Sequence, residues 1–351
     1  MYVMNGTLMV APFDRERSEI TDNAVRVLSD PFTKASGAAD FDVSDDGVLI
    51  YLPEGPDIAD RSLVWVDRQG REEPLRVEPR PYVSVVRSPG GDRIASSVKE
   101  PTGSGDIWIH DVTRGRFTRL TFPTGLDRYP VWTPDGEHVV FQSFRDGVGL
   151  FWKAANGTGS AERLTRGLTM PFSVSPDGRT LAAMTSHTET AWDIAKVSLE
   201  GDRTTEPLVA DPHNQWYPQI SPSGKWLAYH SRKSGRPEIF VRPYPNVDDG
   251  QWQVSTGGGT YPMWSPNEDE LFYRYEDEMM AVPVVTHDGF AYGAPAVLFK
   301  GSYWTGGERN YDIGADGQRF LMIKDEASKD ESGRNDIHVV LNWFEELRAL
   351  Q

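Results

Sequence analysis

The chain has 351 residues, of which 38% are hydrophobic and 25% charged, so it contains enough apolar material for a large core. Its formal net charge of −16 repels nucleic-acid phosphates, and the richest basic stretch holds only Arg114, Arg116 and Arg119. The absence of cysteine excludes disulfides, thiolate metal sites and cysteine nucleophiles. We therefore expect a globular protein that does not bind nucleic acid.

The sequence contains no sign of a membrane span or a signal peptide. No window approaches the run of about eighteen apolar residues that a spanning helix requires. Residues 1–10 lack a basic region followed by a long apolar run. The sequence by itself therefore predicts no membrane span and leaves the compartment open.

The first predicted strands lie in residues 1–30. Short β-rich runs at 1–3, 7–13 and 25–28 parallel later runs at 272–273, 279–283 and 297–299. Because those later runs end a repeated unit, residues 1–30 resemble such a unit without its first strand.

From about residue 38 to 300 a phrase recurs: an apolar or aromatic strand, a Ser or Thr marker, a Pro-Asp-Gly turn or a variant, and a second apolar strand. The markers are Ser44, Ser88, Thr133, Ser175, Ser221 and Ser265, with a weaker copy at Gly314. Successive markers are 44, 45, 42, 46, 44 and 49 residues apart. Even spacing of this length predicts a propeller or a repeat array.

Each phrase has the chemistry of a tight hairpin. Proline holds φ near about −65° at the first turn position, and Asp and Gly close the turn. Two more β-rich runs follow, as at 107–110 and 117–120. Four short antiparallel strands per repeat predict an all-β fold, namely a β-propeller of four-stranded blades. A β-sandwich would have similar strands without this phrase repeat.

The C-terminal segment supplies strands at 311–313, 319–323 and 337–341 and a short helical turn at 343–347. A propeller must join its ends, because an open blade leaves unpaired sheet edges. We therefore predict one propeller domain over 1–351, with six full repeats at 38–300 and a closing blade formed by 1–30 and 305–351. This arrangement has seven blades, and eight result if each terminus forms its own partial blade.

The phrase Ser175-Pro176-Asp177-Gly178, followed by a hydrophobic strand, resembles the WD40-like (PD40) repeats of TolB-type propellers. Stretches at 5–13, 238–245, 252–258 and 339–343 resemble the propeller region C-terminal to bacterial Ser/Thr protein kinases. The resemblance implies a bacterial sensory or interaction propeller without catalytic residues, in a periplasmic or extracytoplasmic location. The kinase motifs themselves are absent from this sequence.

No catalytic or cofactor motif accompanies the repeats. The sequence has no Gly-x-Ser-x-Gly, and its seven histidines never fall at His-x-x-x-His spacing. Acidic runs at 268–270 and 276–278 lack the Gly-spaced pattern of a calcium loop. We predict no catalytic residue, no metal and no cofactor. The alternative is a hydrolase or lyase that gathers histidines and carboxylates from several blades at the channel mouth.

The aromatic residues indicate where a ligand would bind. Tryptophan recurs directly before the marker, which predicts packing between blades. Tyr129, Tyr217 and Tyr261 each lie four residues before a marker, and Trp216 adjoins Tyr217. At the start of the first strand these four would form an aromatic rim at the channel mouth. The sequence thus predicts a monomeric binding or sensing propeller for a protein or small ligand, and the resemblance implies a role accessory to a signalling kinase or an envelope complex.

Overall fold

The computed structural model describes residues 2–4, 7–14, 17, 19–21, 24–29, 41–44, 46–51, 59–100, 104–122, 125–187, 191–326 and 338–349. Its chain divides into two compact units, one of residues 58–326 and one of residues 1–57 with 327–351. The contacts cluster separately in these two units, and the single propeller domain over 1–351 stays a prediction.

Residues 58–326 form six antiparallel sheets, which we call blades 1 to 6. Blades 1 to 5 are each built from strands consecutive in the chain. Blade 1 contains Val86–Arg87, Arg93–Lys99, Gly105–Asp111 and Arg116–Arg119; blade 2 contains Asp127–Trp132, His138–Ser143, Gly149–Ala154 and Glu162–Arg163; blade 3 contains Thr169–Val174, Thr180–His187, Ala191–Ser198 and Thr205–Val209. Blade 4 contains Gln215–Ile220, Trp226–Ser231, Glu238–Pro243 and Trp252–Gln253; blade 5 contains Thr260–Trp264, Glu270–Tyr275, Glu278–Val285 and Ala296–Lys300, with Ala291–Tyr292 beside its third strand. A short 3-10 helix, Val247–Asp249, precedes the last strand of blade 4.

Blade 6 joins the two ends of this unit. Its strands are Tyr311–Ile313 and Arg319–Asp325 followed by Arg61–Asp67 and Glu72–Pro74. Leu63 pairs with Ile323, and Arg61 Nε lies 3.0 Å from Asp325 Oδ1 at the end of the same ladder. The C-terminal strands therefore close the ring as predicted, but residues 61–74, not 1–30, complete their blade. The described residues of this unit form six blades where the sequence predicted seven, because the strand at 61–67 belongs to the closing blade and not to the first repeat.

The first strand of each blade lies innermost. Neighbouring first strands contact one another from blade 1 to blade 5. Blade 6 joins both of its neighbours, because the Tyr311 hydroxyl donates to the Tyr261 carbonyl of blade 5 at 2.7 Å and the Arg87 N–H of blade 1 donates to Asp312 of blade 6 at 2.6 Å. Residues from all six first strands line one central cavity. The six sheets thus surround a channel. We call its two ends the hairpin end, where the marker turns lie, and the loop end, where the chain passes from one blade to the next.

The marker residue holds each hairpin by a repeated hydrogen-bond pattern. Ser175 Oγ accepts the Thr180 N–H at 3.0 Å and donates to Asp177 at 2.5 Å. Equivalent bonds occur at Ser88, Thr133 and Ser265. An added Cβ on Gly224 would lie 3.4 Å from the Pro176 ring of the preceding hairpin. The phrase therefore closes a turn and also packs one blade against the next.

The tryptophan before the marker connects neighbouring blades. Trp132 Nε1 donates to the Val86 carbonyl at 2.9 Å, and Trp264 Nε1 donates to the Gln219 carbonyl at 3.0 Å. Both side chains are buried in the clusters between blades. The predicted packing role of these tryptophans is confirmed.

The other unit contains short sheets and one helix. Its strands are Tyr2–Met4, Thr7–Val10 and Val25–Ser29 in one sheet, Phe13–Asp14 and Glu19–Ile20 in a second, and Phe41–Val43, Leu49–Tyr51 and His338–Val340 in a third. The helix Trp343–Ala349 follows, at the place of the predicted helical turn. Leu8, Leu49 and Trp343 form its core cluster. The first predicted repeat, with marker Ser44, thus pairs its hairpin with a C-terminal strand of this unit.

Candidate channel site

The three predicted rim tyrosines share an unusual backbone conformation. Tyr129, Tyr217 and Tyr261 have φ of 57°, 56° and 54°. Each lies where the register of the first strand shifts, as in a β-bulge. A bulge re-aims a side chain, and a left-handed φ is unfavourable for a residue with a Cβ. All three side chains consequently line small cavities of the channel.

These tyrosines form a continuous group with Phe172 of blade 3. Ring centroids are 5.7 Å apart for Tyr129 and Phe172, 5.1 Å for Phe172 and Tyr217, and 4.3 Å for Tyr217 and Tyr261. We call these four residues the aromatic cluster. Trp216, the fourth predicted rim residue, lies against His230 with centroids 5.1 Å apart and, like Tyr217, packs against the group that contains Tyr129 and Phe172. The structure thus brings the four predicted residues together, and the three tyrosines line the small cavities.

The aromatic cluster contacts the chain itself. Residues 306–308, which we call the mouth segment, precede the first strand of blade 6 at the loop end. The Tyr217 hydroxyl donates to the Gly307 carbonyl at 2.8 Å, and the Tyr261 hydroxyl donates to the Gly306 carbonyl. The tyrosines are therefore buried or half-buried, and two of their hydroxyls already have acceptors within the chain.

Glu308 of the mouth segment reaches blades 1 and 2. Its carboxylate accepts hydrogen bonds from Arg128 Nε at 2.8 Å, the Tyr129 N–H at 3.0 Å and Ser97 Oγ at 2.7 Å. The side chain is 1% exposed. Burial opposes the charge of Arg128, but Glu308 beside it outweighs this effect and raises the pKa of the guanidinium. The mouth segment is thereby held by four of the six blades.

Burial also sets the protonation of the uncharged groups at this end. It raises the pKa of Tyr129 to about 12 and raises that of Tyr217 well above its ordinary value. It lowers the pKa of His230, whose ring lies beside Tyr217, to about 3. At neutral pH the loop end therefore presents tyrosine hydroxyls, a neutral imidazole and one ion-paired carboxylate.

The hairpin end has a different form. Its cavity has a volume of about 370 Å³, whereas each of the two cavities near the aromatic cluster holds about 10 Å³. Arg309 lines all three and lies between the two ends. Its Nη2 is 3.1 Å from Asp312 Oδ1. The open volume of the channel is thus concentrated at the hairpin end.

Sequence reasoning missed Glu308, Arg128 and Phe172. Glu308 follows two glycines in a segment without β periodicity, and the one available signal is the length of the connection between residues 300 and 311. Phe172 lies one residue later in its phrase than the tyrosines do. Within the described parts of the chain, no three His, Asp or Glu residues group as metal ligands. The same residues contain no helix with the length and hydropathy of a membrane span.

A closed ring of four-stranded antiparallel sheets around a channel defines a β-propeller. Residues 83–205 match the TolB beta propeller domain family, so this part of the chain is similar to TolB-type propellers. A TolB-like structure from Agrobacterium tumefaciens superposes with a TM-score of 0.61 at 15% identity, covering 76% of this chain and 98% of that one. This likeness supports the fold.

Two relatives align by sequence over about half of the chain. An uncharacterized protein of Agrobacterium fabrum is 28% identical over 205 residues, which are 54% of this chain and 68% of that protein. A dipeptidyl-peptidase 5 homologue of Emericella nidulans is 27% identical over 209 residues, which are 52% of this chain and only 28% of the peptidase.

Proposed function

We propose that this propeller is a non-catalytic binding and sensing module whose aromatic cluster receives a peptide-like partner or ligand. The observation that carries the proposal is the left-handed conformation of Tyr129, Tyr217 and Tyr261 at the same position of three blades. Such a conformation costs about 1–3 kcal/mol per residue and is found mostly at functional sites. Because this costly conformation recurs in three blades at the channel, it supports a functional role for the three tyrosine side chains.

The mouth segment indicates which chemistry the cluster accepts. It presents two backbone carbonyls to tyrosine hydroxyls and one carboxylate to Arg128, Ser97 and the Tyr129 N–H. A peptide with adjacent carbonyls and an acidic side chain offers the same acceptors. Such a partner would displace the mouth segment and take over its hydrogen bonds.

The protonation of these groups supports binding over catalysis. General acid–base catalysis needs a group whose pKa lies near the working pH. Burial moves the pKa of Tyr129 and His230 away from neutrality in opposite directions, and Glu308 is engaged by three donors. The cluster therefore has hydrogen-bonding groups but no evident proton-transfer pair.

A peptide copy of residues 305–309 tests the proposal. We expect the labelled peptide to bind weakly to the wild-type protein, because the mouth segment competes from within the chain at a high effective concentration. In the Glu308→Gln variant the mouth segment binds the cluster less tightly. The peptide should therefore bind about ten-fold more tightly, as for the loss of one charge-assisted hydrogen bond in the competing segment. Fluorescence anisotropy measures both affinities.

The matched controls change one partner each. A peptide with Gln in place of its Glu should bind more weakly to the variant, and Tyr217→Phe added to Glu308→Gln should weaken the original peptide. Absence of binding to every variant would refute a peptide site at the cluster. Cleavage of the peptide, read by mass spectrometry and lost on Glu308→Gln, would instead support the hydrolase alternative.

A further inference from the structure

The cavity at the hairpin end has a charge balance opposite to that of the whole chain. Its volume of about 370 Å³ falls in the range of small-ligand sites, roughly 300–1,000 Å³. Three of the lining residues are charged, namely Arg87, Arg309 and Asp312. The lining is therefore net positive in a chain with a formal net charge of −16.

The negative charge of the lining, on Asp312, already has hydrogen-bond donors within the chain. Asp312 accepts hydrogen bonds from the Arg87 N–H at 2.6 Å, the Ile313 N–H at 2.7 Å and Arg309 Nη2 at 3.1 Å. The residue is 6% exposed. Asp312 consequently neutralises Arg309 and offers little charge to repel an anion in the cavity.

Arg87 provides the positive charge that is not neutralised. Its Nε donates to the Ile313 carbonyl at 3.1 Å, and its guanidinium forms no ion pair with a carboxylate in the described parts of the chain. The side chain is half-buried on the cavity wall. A guanidinium in such a place retains donors that match a carboxylate or phosphate.

The rest of the wall is mostly apolar. Phe172, Val131 and Val174 line it together with the prolines of five hairpins. We propose that the hairpin-end cavity binds a small organic anion, whose carboxylate or phosphate pairs with Arg87 and whose apolar body lies against Phe172 and Val131. This site shares Phe172 with the aromatic cluster but none of its three tyrosines, and it needs no displacement of the mouth segment. It therefore goes beyond the proposed function and does not depend on it.

Four probes of similar shape separate charge from apolar contact: benzoate, phenyl phosphate, benzyl alcohol and benzamidine. Binding is read from the methyl signals of isoleucine in NMR spectra. Ile220 and Ile313 line the cavity, whereas Ile194 is buried within blade 3 and serves as a reference. We expect benzoate or phenyl phosphate to shift Ile220 and Ile313 but not Ile194, with benzyl alcohol and benzamidine far weaker. The two anions distinguish a carboxylate from a phosphate ligand.

Three variants test whether Arg87 supplies the charge that binds the anion. Arg87→Met should weaken binding of the anion about ten-fold or more, as expected for one charge-assisted hydrogen bond, while the exposed Arg116→Met leaves it unchanged. Arg87→Lys should restore most of the affinity. Equal shifts with benzamidine, an absence of shifts at Ile220 and Ile313, or unchanged affinity in Arg87→Met would each overturn the proposal. The comparison of probes on the wild-type protein decides the question even if a variant fails to fold.

Discussion

The two ends of the channel differ although the same repeat builds both. At the hairpin end the same turn recurs, and a cavity of about 370 Å³ remains between the turns. At the loop end the connections between blades vary, and the aromatic cluster and mouth segment leave cavities of about 10 Å³. The repeated phrase thus determines the ring of blades. The irregular connections between blades determine which end of the channel is filled by side chains.

The largest change in the free energy of unfolding should come from replacing Glu308 at the loop end. Glu308→Ala leaves Arg128, the Tyr129 N–H and Ser97 without their acceptor, and we expect a loss of about 4 kcal/mol in the free energy of unfolding. Urea unfolding measures it. The exposed Glu137→Ala at the hairpin end should change stability by no more than about 0.5 kcal/mol. Equal losses in the two variants would contradict the contrast between the ends.

A smaller effect at the loop end is a dependence of the free energy of unfolding on pH. Burial lowers the pKa of His230 to about 3, whereas an unfolded histidine has a pKa of about 6.5. The unfolded chain therefore binds a proton first, and stability is lost as the pH falls from about 6.5 towards 3. We expect His230 to contribute about 3 kcal/mol to the loss between pH 8 and pH 4.5.

Urea unfolding at several pH values tests this contribution. His230→Gln should flatten the dependence in that window, while the exposed His213→Gln should leave it unchanged. A wild-type profile identical to that of His230→Gln would show that His230 is not held neutral by burial.

The smallest change in stability is expected at the hairpin end, at the one turn of blades 1 to 6 in which Glu268 replaces the usual glycine. Glu268 occupies the Gly position of its turn with φ 59°, and its carboxylate accepts the Ser223 N–H at 2.7 Å and the Ser223 hydroxyl at 2.9 Å. Glu268→Ala keeps the strain and loses these bonds, so we expect a loss of about 2 kcal/mol. Glu268→Gly should lose only about 1 kcal/mol, because glycine relieves the strain. Thermal unfolding ranks the two variants, and the reverse order would be inconsistent with strain at this position.

The sequence predicted those parts of the fold that depend on local chemistry. The hairpins, the tryptophan contacts and the position of Tyr129, Tyr217 and Tyr261 follow from a phrase a few residues long. The closing blade does not, because the strand at 61–67 is equally suited to the preceding repeat and pairs with a strand distant in the chain. Glu308 was missed for a related reason: only the tertiary fold brings it beside Arg128 and Ser97.

Blade 6 also bears on how the protein folds. The hydrogen bond between Arg61 and Asp325 joins residues 264 positions apart, so this blade has very high contact order. During synthesis the strand at 61–67 must wait, with an exposed edge, until residues 319–325 have left the ribosome. The slowest step of folding should therefore be the joining of these two segments, and chains halted before it are the ones at risk of aggregation.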